Sequence, residues 1–314
     1  MPEASYYQEG DKISFSTVSA VAAGEVLQVP DGRAGVAIDT TAAGGLVACQ
    51  IEGIHKMAKT ANEIYVPGQR LYWDASASKV TAVPPITAAD FFVGCSADDA
   101  AAADTEAKVD LNNDWEGSID QRTSTFAVAS TLTAGDPRVT QVGGGARFIL
   151  DAASEAQMIS VLSHKAVALD SDWIYCAEVV LDAAAGSATD ISIGVSDSGH
   201  ASDFQSAGSF CTIHIDGAAQ DILVQSDDTA TDVNPVDSNI NWTAAVPFAL
   251  VIDGRDPADI KLYINGIRET ASATTLAIAI AASGLKACVH IEKSSSTNTA
   301  DVTVANMKIL TGDL

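Results

Sequence analysis

The sequence predicts an all-β protein with a small N-terminal β-barrel or sandwich domain followed by a larger β-sandwich domain. Three observations lead to this fold class. Short runs of alternating apolar and polar residues recur along the chain, separated by the Gly, Pro, Asn and Asp residues that favour turns. Hydrophobic residues make up 47% of the 314 residues, which is enough for a sizeable core. Charged residues make up only 18%, whereas long-helix proteins are rich in Glu, Lys and Arg.

The first domain is predicted to span residues 1–112. Its first strand lies within residues 12–18, where apolar and polar side chains alternate. Further short apolar runs follow as far as residues 107–111, and their length and spacing favour a small barrel or sandwich. The turn-forming sequence Asn112-Asn113-Asp114 is predicted to be a weakly packed linker, which places the domain boundary there.

The second domain, residues 113–314, contains longer apolar runs. Nine strands are predicted, which suits one two-sheet sandwich. They lie at residues 146–150, 173–181, 190–195, 210–215, 222–225, 248–252, 260–264, 287–291 and 302–310.

One helix is predicted in the second domain, within residues 154–165. Ser154 can cap its first turn, and Gln157 occupies the capping-box position three residues later. At helical spacing, three apolar side chains would share one face: Met158, Val161 and Leu162.

The net charge of −24 argues against nucleic acid as a partner, and none is predicted. Binding to phosphates requires Lys and Arg, because the affinity comes from neutralising phosphates and releasing their counterions. Acidity of this kind ordinarily serves solubility. The N-terminus has no signal-peptide pattern, and no apolar stretch is long enough to span a bilayer, so no membrane partner is predicted.

The basic side chains of the first domain partly cluster at His55, Lys56, Lys59 and Arg70. Two interpretations stay open. The group is either a solvated face, or a contact surface for an acidic neighbouring subunit.

Five cysteines are spread along the chain, at Cys49, Cys95, Cys176, Cys211 and Cys288. Their odd number and wide spacing give no zinc or redox motif. They are predicted to be buried free thiols, which suits folding in a reducing host cytoplasm.

No catalytic, metal or cofactor motif is apparent, so no enzyme activity is predicted. Asp110, Asn112 and Asp114 resemble the start of a calcium loop, but Trp115 stands where Gly is required. A glycosidase pair would have to come mainly from Glu178 and Glu292. The loop acids Asp197, Asp203, Asp227 and Asp228 and the strand histidines His214 and His290 are interpreted as solvated or structural groups.

Residues 6–112 resemble a family of small phage proteins, domain of unknown function 2190, which is linked to capsid decoration. The segments that carry the resemblance are Tyr7-Gln8-Glu9-Gly10-Asp11, Gly35-Val36-Ala37, Ile51 to Lys59, Pro67 to Asp74, Val93 to Ala97 and Ala107 to Asn112. The resemblance implies a β-rich, trimeric module on the capsid surface, and it brings no catalytic residues with it.

Residues 140–314 resemble a concanavalin-A-like or laminin-G-like jelly roll. Two strands and their turns carry this resemblance, at residues 247–254 and 260–267. Asn265-Gly266 within the second segment predicts a tight hairpin. The resemblance implies a fold and says little about a ligand.

Together these features predict a capsid decoration or cement protein on the outer surface of a tailed-phage head. The first domain would bind the major capsid protein as a homotrimer and stabilise the shell. The alternative is a module that binds glycans or host surfaces through the second domain, with Trp242 as the ligand-facing aromatic side chain. No cofactor or metal is predicted for either.

Overall fold

The computed structural model describes residues 11–115, 125–127, 134–142, 144–163, 172–183, 189–199, 204–216, 220–228, 232–269, 275–278 and 284–312. The chain divides into two compact units, Met1–Trp115 and Glu116–Leu314. The described residues form 23 β-strands, β1 to β23, and one short 3-10 helix at Phe204–Ser206. The predicted all-β fold class is therefore confirmed. Within these ranges, no helix is long and apolar enough to cross a membrane.

Residues 11–115 of the first unit contain nine short strands in two antiparallel sheets. Their bounds are β1 Lys12–Ser16, β2 Val26–Gln28, β3 Ala34–Ala37, β4 Leu46–Gln50, β5 Ile54–Ala58, β6 Arg70–Asp74, β7 Lys79–Thr81, β8 Phe91–Ser96 and β9 Glu106–Leu111. The four-stranded sheet has the order β1-β4-β3-β2, and the five-stranded sheet has the order β5-β9-β8-β6-β7.

The five-stranded sheet curls until its two edges meet at one point. Lys59, directly after β5, forms a parallel bridge with Val80 of β7, and the backbone N–H of Thr60 donates to the Val80 carbonyl at 2.9 Å. Trp73 and Tyr65 are buried in the core of this sheet. Gly94 allows β8 and β9 to approach closely, because a Cβ there would lie 2.1 Å from the Asp110 carbonyl oxygen.

Asn112 links the two sheets of the first unit. Its side-chain oxygen accepts from the Ala34 N–H at 2.7 Å, and its amide donates to the carbonyls of Ala34 and Ile51 at 2.8 and 2.7 Å. Its φ of 57° is a left-handed conformation that Asn tolerates well. Asn112 is therefore a packed residue of the first unit rather than part of a weakly packed linker, and the compact unit continues to Trp115.

The described residues of the second unit form a sandwich of two seven-stranded sheets. Its strands are β10 Thr125–Ala127, β11 Arg138–Val142, β12 Gly145–Leu150, β13 Glu155–Leu162, β14 Trp173–Ala183, β15 Thr189–Ser196, β16 Phe210–Asp216, β17 Asp221–Asp227, β18 Asp232–Asn241, β19 Phe248–Asp253, β20 Lys261–Ile264, β21 Ile267–Arg268, β22 Lys286–Ser296 and β23 Ala300–Thr311. The first sheet has the order β10-β13-β22-β15-β16-β17-β18. The second has the order β11-β12-β23-β14-β19-β20-β21.

One continuous core lies between these two sheets. Ile191 and Ile193 of β15 enter it from the first sheet, and Tyr175 and Val179 of β14 enter it from the second. Side chains alternate in direction along a strand, so the residues between them point to the outer faces. The predicted Asn265-Gly266 hairpin is present between β20 and β21, with φ of 52° and 73° at its two turn residues.

The helix predicted within residues 154–165 is wrong, because the structure has strand β13 at Glu155–Leu162. This strand pairs with β22 along its length and with β10 at its end. Gln157 bonds back to Asp151 instead of capping a helix: it accepts from the Asp151 N–H at 3.0 Å and donates to the Asp151 carboxylate at 2.6 Å. Tertiary pairing thus overrides a capping pattern that is only local.

Candidate functional site

The first unit contains an open groove of about 470 Å³ between its two sheets. One wall comes from the start of β2 and from β3, and the other comes from β5, β6 and the turn after β6. The lining residues are Gly24, Glu25, Val26, Val36, His55, Lys56, Met57, Ala58, Trp73, Ala75 and Ser78. The groove therefore combines an apolar floor with charged groups at its rim.

Two of the four predicted contact residues line this groove, and two lie elsewhere. His55 is half-buried and Lys56 is exposed, next to each other on β5. The His55 ring nitrogen Nε2 lies 3.3 Å from the Glu52 carbonyl oxygen. Arg70 is on β6, three strands away in the sheet order. The four basic residues therefore do not form one cluster.

Lys59 is buried, with only 2% of its surface exposed, so its ammonium is not presented on the surface of the unit. Its Nζ donates to the Thr60 carbonyl at 3.2 Å and lies 5.1 Å from the centre of the Tyr65 ring. Burial lowers the pKa of Lys59, and the nearby carboxylates of Glu63 and Asp104 oppose that shift. The role of Lys59 in the described fold is structural.

Glu63 is the buried carboxyl group beside Lys59. It accepts hydrogen bonds from the Tyr65 hydroxyl, the Thr81 hydroxyl and the Ala82 N–H, each at 2.8 Å. Burial raises the pKa of Glu63, and these hydrogen bonds partly offset the rise. This group was not predicted, since nothing in the local sequence pattern distinguishes Glu63 from a solvated turn residue.

Arg70 is engaged within the first unit. Its guanidinium forms an ion pair with Asp114 and lies 4.1 Å over the Phe92 ring, a cation–π geometry. Its Nε donates to the Tyr72 hydroxyl at 3.3 Å. A capsid contact by Arg70 would therefore have to compete with its ion pair to Asp114 and its contacts with Phe92 and Tyr72.

Trp242 cannot be a ligand-facing aromatic side chain, because it is 3% exposed and belongs to the sandwich core. Its backbone N–H donates to the Gln220 carbonyl at 2.9 Å, which fixes the residue beside β17. The polar residues around Trp242 in the sequence suggested an exposed loop, but the side chain points inward. Every other aromatic side chain described in the second unit is also buried: Phe148, Trp173, Tyr175, Phe204, Phe210, Phe248 and Tyr263.

The strand histidines are brought close to each other on the outer face of the first sheet of the sandwich. Ser192 of β15 stands opposite His214 of β16 on one side and His290 of β22 on the other. Its hydroxyl lies 3.5 Å from His214 Nδ1 and accepts from the Gln225 amide at 3.2 Å. Each of these side chains is at most 7% exposed, so the row is not presented to a surface ligand.

The acidic candidates are dispersed. Glu178 lies on β14 and Glu292 on β22, and both point outward from opposite sheets, so they share no cleft. Asp197 accepts from the Ser198 hydroxyl at 2.7 Å, and Asp203 lies outside the described residues. In the described part of the chain, no three His, Cys, Asp or Glu side chains are grouped as a metal site requires. All five cysteines are free and buried, as predicted.

Lys293 of β22 is a buried cation that the sequence did not reveal. Its Nζ contacts four backbone carbonyl oxygens: that of Asp151, and those of Ala153, Ser296 and Asn298 at 2.7, 3.1 and 3.1 Å. The ammonium thereby ties the turn before β13 to the hairpin between β22 and β23. Such a role depends on long-range contacts that no local pattern encodes.

Comparison with known proteins gives one family match. Residues 7–111 match the family model described as phage cement protein. This match covers about a third of the chain and supports a structural role on a phage capsid. No curated protein matches the sequence.

Solved structures with some likeness to the chain include sugar-binding domains and a lyase. The carbohydrate binding module CBM66 from Bacillus subtilis is 9% identical, with a TM-score of 0.39, covering 62% of this chain and 97% of that one. The potassium-bound carbohydrate recognition domain of Emp46p is 11% identical, with a TM-score of 0.42, covering 62% and 90%. Alginate lyase PA1167 from Pseudomonas aeruginosa is 13% identical, with a TM-score of 0.40, covering 55% and 86%. Because the sequence identities and TM-scores are this low, no ligand or activity of these proteins is assigned to this chain.

Proposed function

We propose that this protein is a cement or decoration protein on the outer surface of a tailed-phage capsid, bound to the major capsid protein through its first unit. The observation that carries the proposal is the match of residues 7–111 with phage cement protein. That segment includes all nine strands of the first unit and the groove between its sheets. The earlier resemblance to the family of domain of unknown function 2190 remains part of this proposal.

Charge supports an outer position. The chain carries a net charge of −24, and like charges would repel it from packaged DNA. Residues 113–314 hold 10 basic and 26 acidic side chains, against 7 and 15 in residues 1–112. The more acidic second unit therefore suits the end that faces solvent, away from the shell.

A homotrimer is part of the proposal. Val18 is 97% exposed and Leu46 is 68% exposed, and both lie at one end of the β1–β4 pair, where Ser16 stands opposite Leu46. Exposed apolar groups beside a free strand edge are typical of subunit contacts. Three linked copies on a repeated lattice also raise each other's effective concentration.

The proposal assigns no catalysis and no cofactor to either unit. Synthesis in the host cytoplasm suits the five buried free thiols, since such compartments keep thiols reduced. Recognition of glycans or host surfaces by the second unit remains the alternative role. That role would need a site other than Trp242, which is in the core.

The proposal is tested with capsid shells stripped of this protein. Purified full-length protein is added, and binding is measured by co-sedimentation together with the temperature at which the shells disrupt. We expect saturable binding and a higher disruption temperature. We also expect limited proteolysis of the decorated shells to release residues 116–314 before residues 1–115. Absence of binding, or release of the first unit first, would contradict the proposal.

A further inference from the structure

The groove of the first unit runs along a free edge of strand β5. Four consecutive residues of β5, His55 to Ala58, line the groove, although their side chains alternate between the two faces of the sheet. A groove can contact residues of both faces only where it follows the edge of a strand. Between Ile54 and Ala58, no described strand pairs with β5 on the side away from β9.

The hydrogen-bond register shows which backbone groups point toward this edge. Leu111 N–H donates to the Gly53 carbonyl and Lys59 N–H donates to the Thr105 carbonyl, so the odd-numbered residues of β5 face β9. Thr60 N–H donates the other way, to Val80 of β7. Lys56, in the middle of the strand, therefore directs its N–H and its carbonyl toward the groove.

The charge at this edge is unbalanced. Of the seven Lys and Arg residues described in the first unit, four pair with aspartates: Lys12, Arg33, Arg70 and Lys108. Lys59 is buried. Lys56 is exposed and stands opposite Lys108 in the β5–β9 ladder; Asp98 neutralises Lys108 at 2.7 Å, but no described acid pairs with Lys56. Glu25, across the groove, accepts from the Ala22 N–H instead.

We propose that the β5 edge groove docks an extended acidic segment of the capsid subunit, which adds to the five-stranded sheet as a further strand. This inference rests on the proposed function and identifies the surface used. The backbone of Lys56 supplies ladder hydrogen bonds, and its ammonium pairs with a carboxylate of the segment. Apolar side chains of the segment lie against Val26, Val36, Met57 and Trp73.

Three variants of the full-length protein separate the backbone contribution from the charge. Lys56→Thr removes the ammonium and its aliphatic stem but keeps the groove-facing N–H on a strand-forming residue. Lys56→Pro also removes the groove-facing N–H, while the bonds to β9 remain because Lys56 does not face β9. Arg268→Pro is the matched control, since Arg268 is an exposed cation on β21, an edge strand of the second unit, and likewise directs its N–H away from its partner β20. Melting curves show that each variant is folded.

Binding to stripped capsid shells is the measurement. Lys56→Thr should bind about threefold more weakly than the unsubstituted chain, as loss of one rim charge pair implies. Lys56→Pro should bind about tenfold more weakly than Lys56→Thr, the effect of one unmade hydrogen bond. Arg268→Pro should bind normally. Equal binding by Lys56→Pro and Lys56→Thr would overturn the inference and leave the proposed function intact.

Two other outcomes are decisive. Failure of the unsubstituted chain to bind shells would refute the proposed function and this occupant together. If Lys56→Thr instead makes the free protein form larger assemblies than the unsubstituted chain forms, Lys56 protects the edge against a second copy of the chain, and the inference is wrong.

Discussion

At the scale of single residues, Trp242 decides whether the second unit offers an aromatic platform to a ligand. Its indole is packed in the core, and the indole N–H has no hydrogen-bond partner among the described residues. We therefore expect Trp242→Ala to lower the free energy of unfolding by about 3–5 kcal/mol. Trp242→Phe should cost less, because it keeps an aromatic ring and loses no hydrogen bond.

Thermal melting of the two Trp242 variants provides the check, together with a glycan array for any binding that the unsubstituted protein shows. Folded variants should keep whatever glycan binding exists. A variant that melts normally but loses glycan binding would show that Trp242 contacts the ligand after all.

Glu63 gives a second residue-scale prediction, concerning pH. Burial raises the pKa of Glu63 above its ordinary value of 4.5, so the folded protein holds this proton more tightly than the unfolded chain. Its contribution to stability is therefore fully present below pH 4.5, falls as the pH rises through the folded-state pKa, and is constant above it. Glu63→Gln, which cannot titrate, lacks this decline.

The difference in Tm between Glu63→Gln and the unsubstituted protein isolates the effect, because all other carboxyl groups titrate in both. The difference should shift in favour of Glu63→Gln as the pH rises above 4.5. Glu106→Gln, at an exposed position of β9, is the matched control variant. A pH-independent difference for Glu63→Gln would mean that Glu63 titrates as it does in the unfolded chain.

At the scale of secondary-structure elements, Lys293 holds together the turn before β13 and the β22–β23 hairpin. Lys293→Met keeps the aliphatic stem but leaves four carbonyl oxygens without their common donor. We expect a loss of about 3 kcal/mol, which is roughly 6–12 °C in the Tm of a unit of this size.

Lys286→Met is the matched control for Lys293→Met, because Lys286 is at the opposite end of β22 and only half-buried. Calorimetry should place its Tm within a few degrees of the unsubstituted protein. Equal Tm values for both variants would show that the carbonyl contacts of Lys293 add nothing to stability.

The elements also show how far the sequence predicts this fold. All nine strands predicted in the second domain are present, because each is an apolar run buried between the two sheets. Strand β18 went unpredicted: it is polar, contains Pro235, and lies at the edge of its sheet, where such residues are tolerated. Strand β13 was mistaken for a helix because its partners, β10 and β22, are distant in sequence.

The candidate site was predicted only in part. His55 and Lys56 line the groove, whereas Lys59 is buried and Arg70 is paired with Asp114. Closeness in sequence could not show which of the four basic residues are available for contact. Neighbouring residues of a strand point to opposite faces of the sheet, and burial changes toward the end of a strand. The opposite wall, formed by Glu25, Val26 and Val36, depends on how the two sheets of the first unit pack.

At the scale of the whole molecule, the chain consists of two units, Met1–Trp115 and Glu116–Leu314, each with its own core. We expect each unit to unfold as one cooperative transition. Fragments 1–115 and 116–314, expressed separately, should each reproduce the Tm of one transition of the full chain. Aggregation of either fragment, or a single transition that neither reproduces, would show that the units depend on each other to fold.

An image of decorated capsid shells at subunit resolution would show directly whether the protein binds the outer face of the shell through its first unit. Stripped shells are incubated with the full-length protein and reconstructed by electron cryomicroscopy with and without imposed symmetry. We expect ordered density for the first unit in contact with the outer face of the shell, with the second unit farther out in solvent. Density for the second unit against the shell, or for the protein on the inner face, would contradict it.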